Sequence, residues 1–214
     1  MAFVKKIEQD DGIIGIWEIT EEVKSLTNEF LFSDKEKKEF EKITADRRKK
    51  EFLVVRLLLQ ELLNKKTEIF YSGSGRPKLK NFDLNLSISH SRDVAVIFLS
   101  KQKIGIDVEN EERKIGNVAQ RFLHESEKEF ILSCKNQQKT TILFWCAKEA
   151  IFKCSEEQGI EFSKEILISP FFVENESNFE GKKIQFNKNT FYRLQHFNYK
   201  NNVIVFCVEE VEKS

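Results

Sequence analysis

Asp107 and Glu109 stand two residues apart in the run Ile104-Gly105-Ile106-Asp107-Val108-Glu109. The alternation predicts a β-strand, whose period of two puts both carboxylates on one face with Cβ atoms about 6–7 Å apart. Ile104, Ile106 and Val108 then face the core, and Gly105 leaves room for a ligand on the acidic face. Carboxylates that project together repel unless a cation lies between them. A hard cation such as Mg2+ takes oxygen ligands, commonly a few carboxylates completed by water and substrate phosphate. Alone, a D-x-E pair is more often a solvated strand edge. A second run, WCAKEAIFK from Trp145 to Lys153, shifts the balance. On a helix Trp145, Glu149 and Lys153 follow at i, i+4 and i+8 on one face. An exposed Glu–Lys pair there would be worth only about 0.3–0.5 kcal/mol. A large Trp on the same face argues against full exposure. Glu149 is therefore expected as a third metal ligand and Lys153 as a phosphate contact.

Three further features could serve an anion. His90 follows Ser89 at the end of a predicted strand, and a bound phosphate would tune its charge. The loop YSGSGRP, Tyr71 to Pro77, carries Arg76 and could cradle phosphate through backbone N–H groups. It is not followed by the Lys-Ser/Thr pair of a Walker A loop. A basic cluster contains Arg48 and Arg56. His124 and His196 lack such context and are expected to be structural.

The elements that must position these groups are readable along the 214 residues. Gly12 to Thr20 reads as a strand. Ser33 to Glu36 has the form of a capping box, and Glu36 to Asn64 lacks Gly and Pro, which predicts one long helix or two with a break near Thr44. Strands are expected at Leu84–Ser89, with Ser87 and Ser89 opposite Leu86 and Ile88, at the nearly all-apolar Val94–Leu99, and at Ile104–Glu109. The short links 91–93 and 101–103 suit hairpins. Helices are expected at Glu125–Cys134 and Thr140–Lys153, then strands at Ile166–Ile168, Lys183–Phe186, Phe191–Leu194 and Val203–Val208. This order predicts an α+β fold of two similar halves, residues 1–100 and 101–214.

Composition narrows the setting. Lys+Arg and Asp+Glu balance at 35 each, so charge offers no general attraction to nucleic acid or membrane. Twenty phenylalanines supply a sizeable core. The four cysteines form no C-x-x-C pair, which argues against structural zinc and for reduced buried thiols. The first ten residues lack the features of a signal peptide, and no apolar run approaches the ~20 residues of a membrane span. A cytoplasmic protein is expected.

The runs GRP, LSISHS, IGIDVE and WCAKEAIFK, in this order over residues 75 to 153, resemble the 4′-phosphopantetheinyl transferase superfamily, in particular its larger monomeric type. That family shows G-[IV]-D-x-E followed by W-[SCT]-x-K-E-[AS]-x-x-K. Gly105, Ile106, Asp107 and Glu109 match the first part. Trp145, Cys146, Lys148, Glu149, Ala150 and Lys153 match the second.

The resemblance implies two α+β halves related by a pseudo-twofold, with coenzyme A in the cleft between them. It implies that Asp107, Glu109 and Glu149 hold Mg2+ against the coenzyme A pyrophosphate and that Lys153 and Lys148 lie by that group. It implies His90 at the 3′-phosphate, with Arg76 and Ser89 lining the same region and Arg48 and Arg56 as basic positions of the first half. Glu127, in RFLHESEKE, is implied as a candidate base. The partner would be an acyl or peptidyl carrier protein, and the product a carrier whose serine bears phosphopantetheine. Arg76 stands where lysine is commoner in the family, and the two cations differ in geometry. A metal-dependent nuclease also fits D-x-E with a downstream acid and lysine, although no basic stripe accompanies it. A non-catalytic carrier-binding relative is the other alternative.

Overall fold

The computed structural model describes residues 3–172, 177–185 and 188–210. In chain order the elements are β1 (Phe3–Gln9), β2 (Gly12–Glu18), α1 (Val23–Glu29), α2 (Asp34–Glu41), α3 (Asp46–Leu63), β3 (Ile69–Tyr71), β4 (Pro77–Leu79), β5 (Asn85–His90), β6 (Val94–Ser100), β7 (Ile104–Asn110), α4 (Gly116–Phe122), α5 (Glu125–Ser133), α6 (Gln137–Ser155), α7 (Phe162–Glu165), β8 (Ile166–Ile168), β9 (Asn178–Gln185), β10 (Lys188–Tyr199) and β11 (Asn202–Glu209). They form an α+β fold with two antiparallel sheets, ordered β1-β2-β6-β5-β4-β3 and β7-β11-β10-β9-β8.

The layers follow from the strand patterns. In β6, Ala95, Ile97 and Leu99 face a core built on α3, whereas Val94, Val96 and Phe98 face the second sheet. Both faces of β6 are buried, which explains its nearly unbroken apolar run. Ile14 and Ile16 of β2 join Ile104, Ile106 and Val108 of β7 and Ile204 and Phe206 of β11 in that inter-sheet layer. Val203, Val205 and Cys207 point the other way, into the core under α6. The order of layers is thus helix, sheet, sheet, helix.

The link 101–103 departs from expectation. It does not close a hairpin, because β6 pairs with β2 and β5 and β7 pairs with β11. Two strands that each carry an apolar face bury more by stacking than by pairing edge to edge. At this crossing the serines of β5 meet β7, and the Ile106 and Val108 amides donate to Ser87 Oγ and Ser89 Oγ at 3.0 and 3.4 Å. The expected serine face therefore forms the seam between the sheets.

Other differences have local causes. Of the two expectations for residues 36–64, the broken one holds: there are two helices, divided at residues 42–45 around Thr44. Ser33 and Glu36 make the capping box on α2, and Asn64 ends α3 in the left-handed conformation at φ 48°. β1 forms from a charged segment because it pairs with β2 at the sheet edge, where polar residues remain solvated. The loop of Tyr71 to Pro77 turns out to be the tip of the β3–β4 hairpin. β9 and β10 are longer than expected, and Phe186, placed in a strand from sequence, lies outside the described residues. Among the described residues no helix is long and apolar enough to cross a membrane.

Candidate functional site

β7 and α6 bring the acids together. Gly105 sets their separation: a Cβ there would stand 1.9 Å from the Ala150 carbonyl oxygen. The glycine makes room for the helix, not for a ligand as the sequence suggested. With α6 so close, the next two residues of that strand face, Asp107 and Glu109, meet the Trp145–Glu149–Lys153 stripe.

Asp107 is 5% exposed. Its Oδ1 accepts from Ser89 Oγ at 2.7 Å and from Lys153 Nζ at 2.8 Å, while its Oδ2 is buried with no partner. Lys153 Nζ also donates to the Ile106 carbonyl at 3.0 Å. Glu109 accepts from Trp145 Nε1 at 3.2 Å and from Arg113. Burial, and then Asp107, push the Glu149 carboxyl up to about 7, with Lys153 and Arg113 opposing. Cys146 is fully buried, and burial followed by Asp107 pushes its thiol well up, so it is an inert thiol.

These oxygens suit a hard cation in type, since all are carboxylate and one is buried without a partner. Among the described residues no three His, Cys, Asp or Glu side chains stand in ligand geometry about one point. The acids form one electrostatic cluster in which Lys153 and Arg113 supply the positive charge.

Beside this cluster lies a groove of about 310 Å³, whose walls include Arg48, Glu51, Tyr71, Ile88 and His90. Glu51 is 4% exposed and accepts from Arg47 Nε and Arg48 Nη1, each at 2.9 Å. His90 Nδ1 stands 3.3 Å from Glu51 Oε1. Burial lowers the His90 pKa, Glu51 raises it, and Arg48 and Lys153 lower it further, so the surroundings on balance favour the neutral ring. A phosphate arriving there would favour the charged ring.

Several expected site residues are engaged elsewhere. Lys148 is 0% exposed and is held by Glu127 at 2.7 Å and by the carbonyls of Phe162 and Ile166 at 2.9 and 2.5 Å. It cannot reach a pyrophosphate. Glu127 is 3% exposed and accepts from the His124 and Ile168 amides, each at 2.8 Å. It caps α5 and neutralises Lys148, so it is not poised as a base. Arg56 lines the groove, but its guanidinium is occupied by Glu36 at 3.2 Å and the Phe52 carbonyl at 3.1 Å, stacked 3.4 Å over the Phe52 ring. Ser89 braces Asp107 instead of lining an anion site. Arg76 donates to the carbonyls of Phe152 and Lys153 at the end of α6.

Sequence reasoning missed Arg113 and Glu51. Each has a local signal: Arg113 lies four residues after Glu109, and Glu51 lies three and four after Arg48 and Arg47 on one helix.

A family model described as ACPS, 4′-phosphopantetheinyl transferase superfamily, matches residues 103–208. That segment belongs to the superfamily. Within this phosphopantetheinyl transferase segment lie Asp107, Glu109, Glu127, Lys148, Glu149 and Lys153, while Arg48, Arg56, Arg76, Ser89 and His90 precede it. Over 105 residues the chain is 29% identical to the 4′-phosphopantetheinyl transferase gsp of Aneurinibacillus migulanus. The match covers 47% of this chain and 44% of that protein, so it spans less than half of the relative's length. The crystal structure of Thermotoga maritima holo-[acyl-carrier-protein] synthase aligns at 21% identity and a TM-score of 0.39, over 52% of this chain and 64% of that one.

Proposed function

We propose that the protein transfers the 4′-phosphopantetheine arm of coenzyme A to a serine of an acyl or peptidyl carrier protein, acting as a monomer. The observation that carries this reading is the buried, unpartnered Asp107 Oδ2 beside the Lys153 ammonium, within a segment of the transferase superfamily. Asp107, Glu109 and Glu149 would hold Mg2+, which when bound offsets charge on the pyrophosphate.

The chain's own groups divide the remaining work. Lys153 supplies a fixed positive charge to the pyrophosphate in a largely desolvated site. Ser89 and Lys153 hold Asp107 so that its free oxygen keeps one orientation. Trp145 does the same for Glu109 through its indole N–H. Arg48 and His90, in the neighbouring groove, suit the 3′-phosphate of coenzyme A. The carrier serine oxygen bonds to the phosphorus that bears pantetheine, the pyrophosphate P–O bond breaks, adenosine 3′,5′-bisphosphate leaves with the bridging oxygen, and the serine proton passes to solvent. Orientation of the hydroxyl by the walls of the cleft lowers the remaining barrier. Residues of both halves, among them Arg76, Ser87, Lys103 and Lys153, line one pocket within a single chain, which supports a single-chain unit.

The test is mass spectrometry of a panel of apo-carriers from fatty-acid, polyketide and peptide-synthetase systems, incubated with coenzyme A and Mg2+. A gain equal to one phosphopantetheine group on at least one carrier is expected. No gain on any carrier refutes the activity. An undiminished gain with Glu149→Ala refutes the metal assignment.

A further inference from the structure

The hairpin tip between β3 and β4 is built to deliver one side chain. The Ser72 amide donates to the Arg76 carbonyl at 2.9 Å, the Gly75 amide to the Ser72 carbonyl at 2.9 Å, and the Arg76 amide to Ser72 Oγ at 3.2 Å. Gly75 adopts φ +80°, a conformation that β-carbon-bearing residues rarely adopt. This closed turn holds Arg76 in place, and its half-buried guanidinium reaches across to the other half of the molecule.

It lands on the end of α6. Nη2 donates to the Phe152 carbonyl at 3.0 Å and Nη1 donates to the Lys153 carbonyl. The helix stops at Ser155, with Glu156 in the left-handed conformation at φ 59°. Its last carbonyls therefore lack backbone partners within the helix, although Phe152's also accepts from Ser155 Oγ at 3.1 Å, and they form the negative end of the helix dipole. A guanidinium fork satisfies two of them at once, which a lysine ammonium on a flexible stem does less rigidly. Lys78 adds a second strut from the same hairpin, 3.1 Å from Glu156 Oε1.

We infer that Arg76 is a positioning residue that clamps the last turn of α6 from the opposite half of the molecule, so that Lys153 and Glu149 stay in register with Asp107. The connection is direct: Arg76 holds the backbone carbonyl of the residue whose ammonium contacts Asp107 at 2.8 Å. Two carbonyls engage two of the five guanidinium N–H donors, so the clamp is a role beyond the 3′-phosphate contact that the family resemblance implied. The kinetic part of the inference rests on the transferase reading above. The structural part does not.

The experiment compares Arg76→Ala and Arg76→Lys with the parent protein. Amide hydrogen exchange, without coenzyme A or carrier, should show faster exchange over residues 150–157 in both variants and an unchanged rate in β1 and β2. In steady-state transfer, kcat should fall about 10–100-fold, as for a misplaced catalytic group. KM for coenzyme A should stay near the parent value, and Arg76→Lys should recover only part of kcat. A rise in KM with kcat intact, together with unaltered exchange, overturns the inference and makes Arg76 a ligand contact. If the parent protein transfers nothing, the activity proposal fails, and exchange alone decides the clamp: unaltered rates at the end of α6 refute it. If Arg76→Ala fails to fold, Arg76→Lys carries both measurements.

Discussion

Replacing Lys148 by methionine should cost the protein a large share of its stability. Lys148 is 0% exposed and gives its three protons to Glu127 Oε2, the Phe162 carbonyl and the Ile166 carbonyl. Methionine fills much of the same volume but leaves a 3%-exposed carboxylate without its cation and two carbonyls without a donor. Breaking a buried ion pair from one side costs about 3–5 kcal/mol. Each stranded carbonyl would add about 1–3 kcal/mol if it could not relax. Glu127 keeps the His124 and Ile168 amides, so the total should stay near the pair value. For a chain of this length about 2–4 °C is lost per kcal/mol, which gives a fall of about 6–20 °C in Tm. Thermal and urea unfolding would read this directly. The double variant Glu127→Gln Lys148→Met strands no charge and should be more stable than Lys148→Met alone. Its transfer activity, assayed well below its melting temperature, should remain. A Lys148→Met protein that melts with the parent would refute the buried pair. A folded double variant that binds coenzyme A yet transfers nothing would return a chemical role to Glu127.

Gly105→Ala should destabilise by at least the usual overpacking cost of about 1–3 kcal/mol, because the obstacle is the Ala150 backbone, and its urea midpoint would show this. Arg56→Met should cost about 3–5 kcal/mol by stranding Glu36, while calorimetry finds coenzyme A affinity retained in the folded fraction. Glu149 gives a pH signature in chelator-treated protein. Its folded pKa of about 7 lies above the ordinary glutamate value of 4.5, so the native state binds more protons across that window and stability falls as the pH rises through it. Glu149→Gln should flatten that slope, as urea titrations at several pH values would detect, and a slope identical to the parent's would contradict the placement of Glu149.

The acids and the lysine were legible in the sequence because local geometry relates them. Period two puts Asp107 with Glu109, and i, i+4, i+8 puts Trp145 with Glu149 and Lys153. The helix break before α3 and the serine face of β5 were readable for the same reason. What sequence could not reveal is which charges are occupied. Glu127 and Lys148 are 21 positions apart on α5 and α6, and Arg56 is 20 from Glu36. Arg76 is 76 and 77 residues from the carbonyls it meets. Nothing in a linear pattern distinguishes a cation free for phosphate from one already neutralised by a distant partner. The supposed hairpin at 101–103 misled in the same way, because adjacency along the chain does not decide whether two apolar strands pair or stack.

The serines at the crossing of the sheets have one further effect. A border strand of an open sheet carries unpaired amides that invite another chain to add on and start a fibre. On β7 the Ile106 and Val108 amides are covered by hydroxyls, and the Ile106 carbonyl by Lys153. The strand is closed to recruitment without a bulge or proline. The Ile106 and Val108 amides are buried at this crossing, so removing both hydroxyls would strand two donors inside the protein and loosen the contact between the sheets.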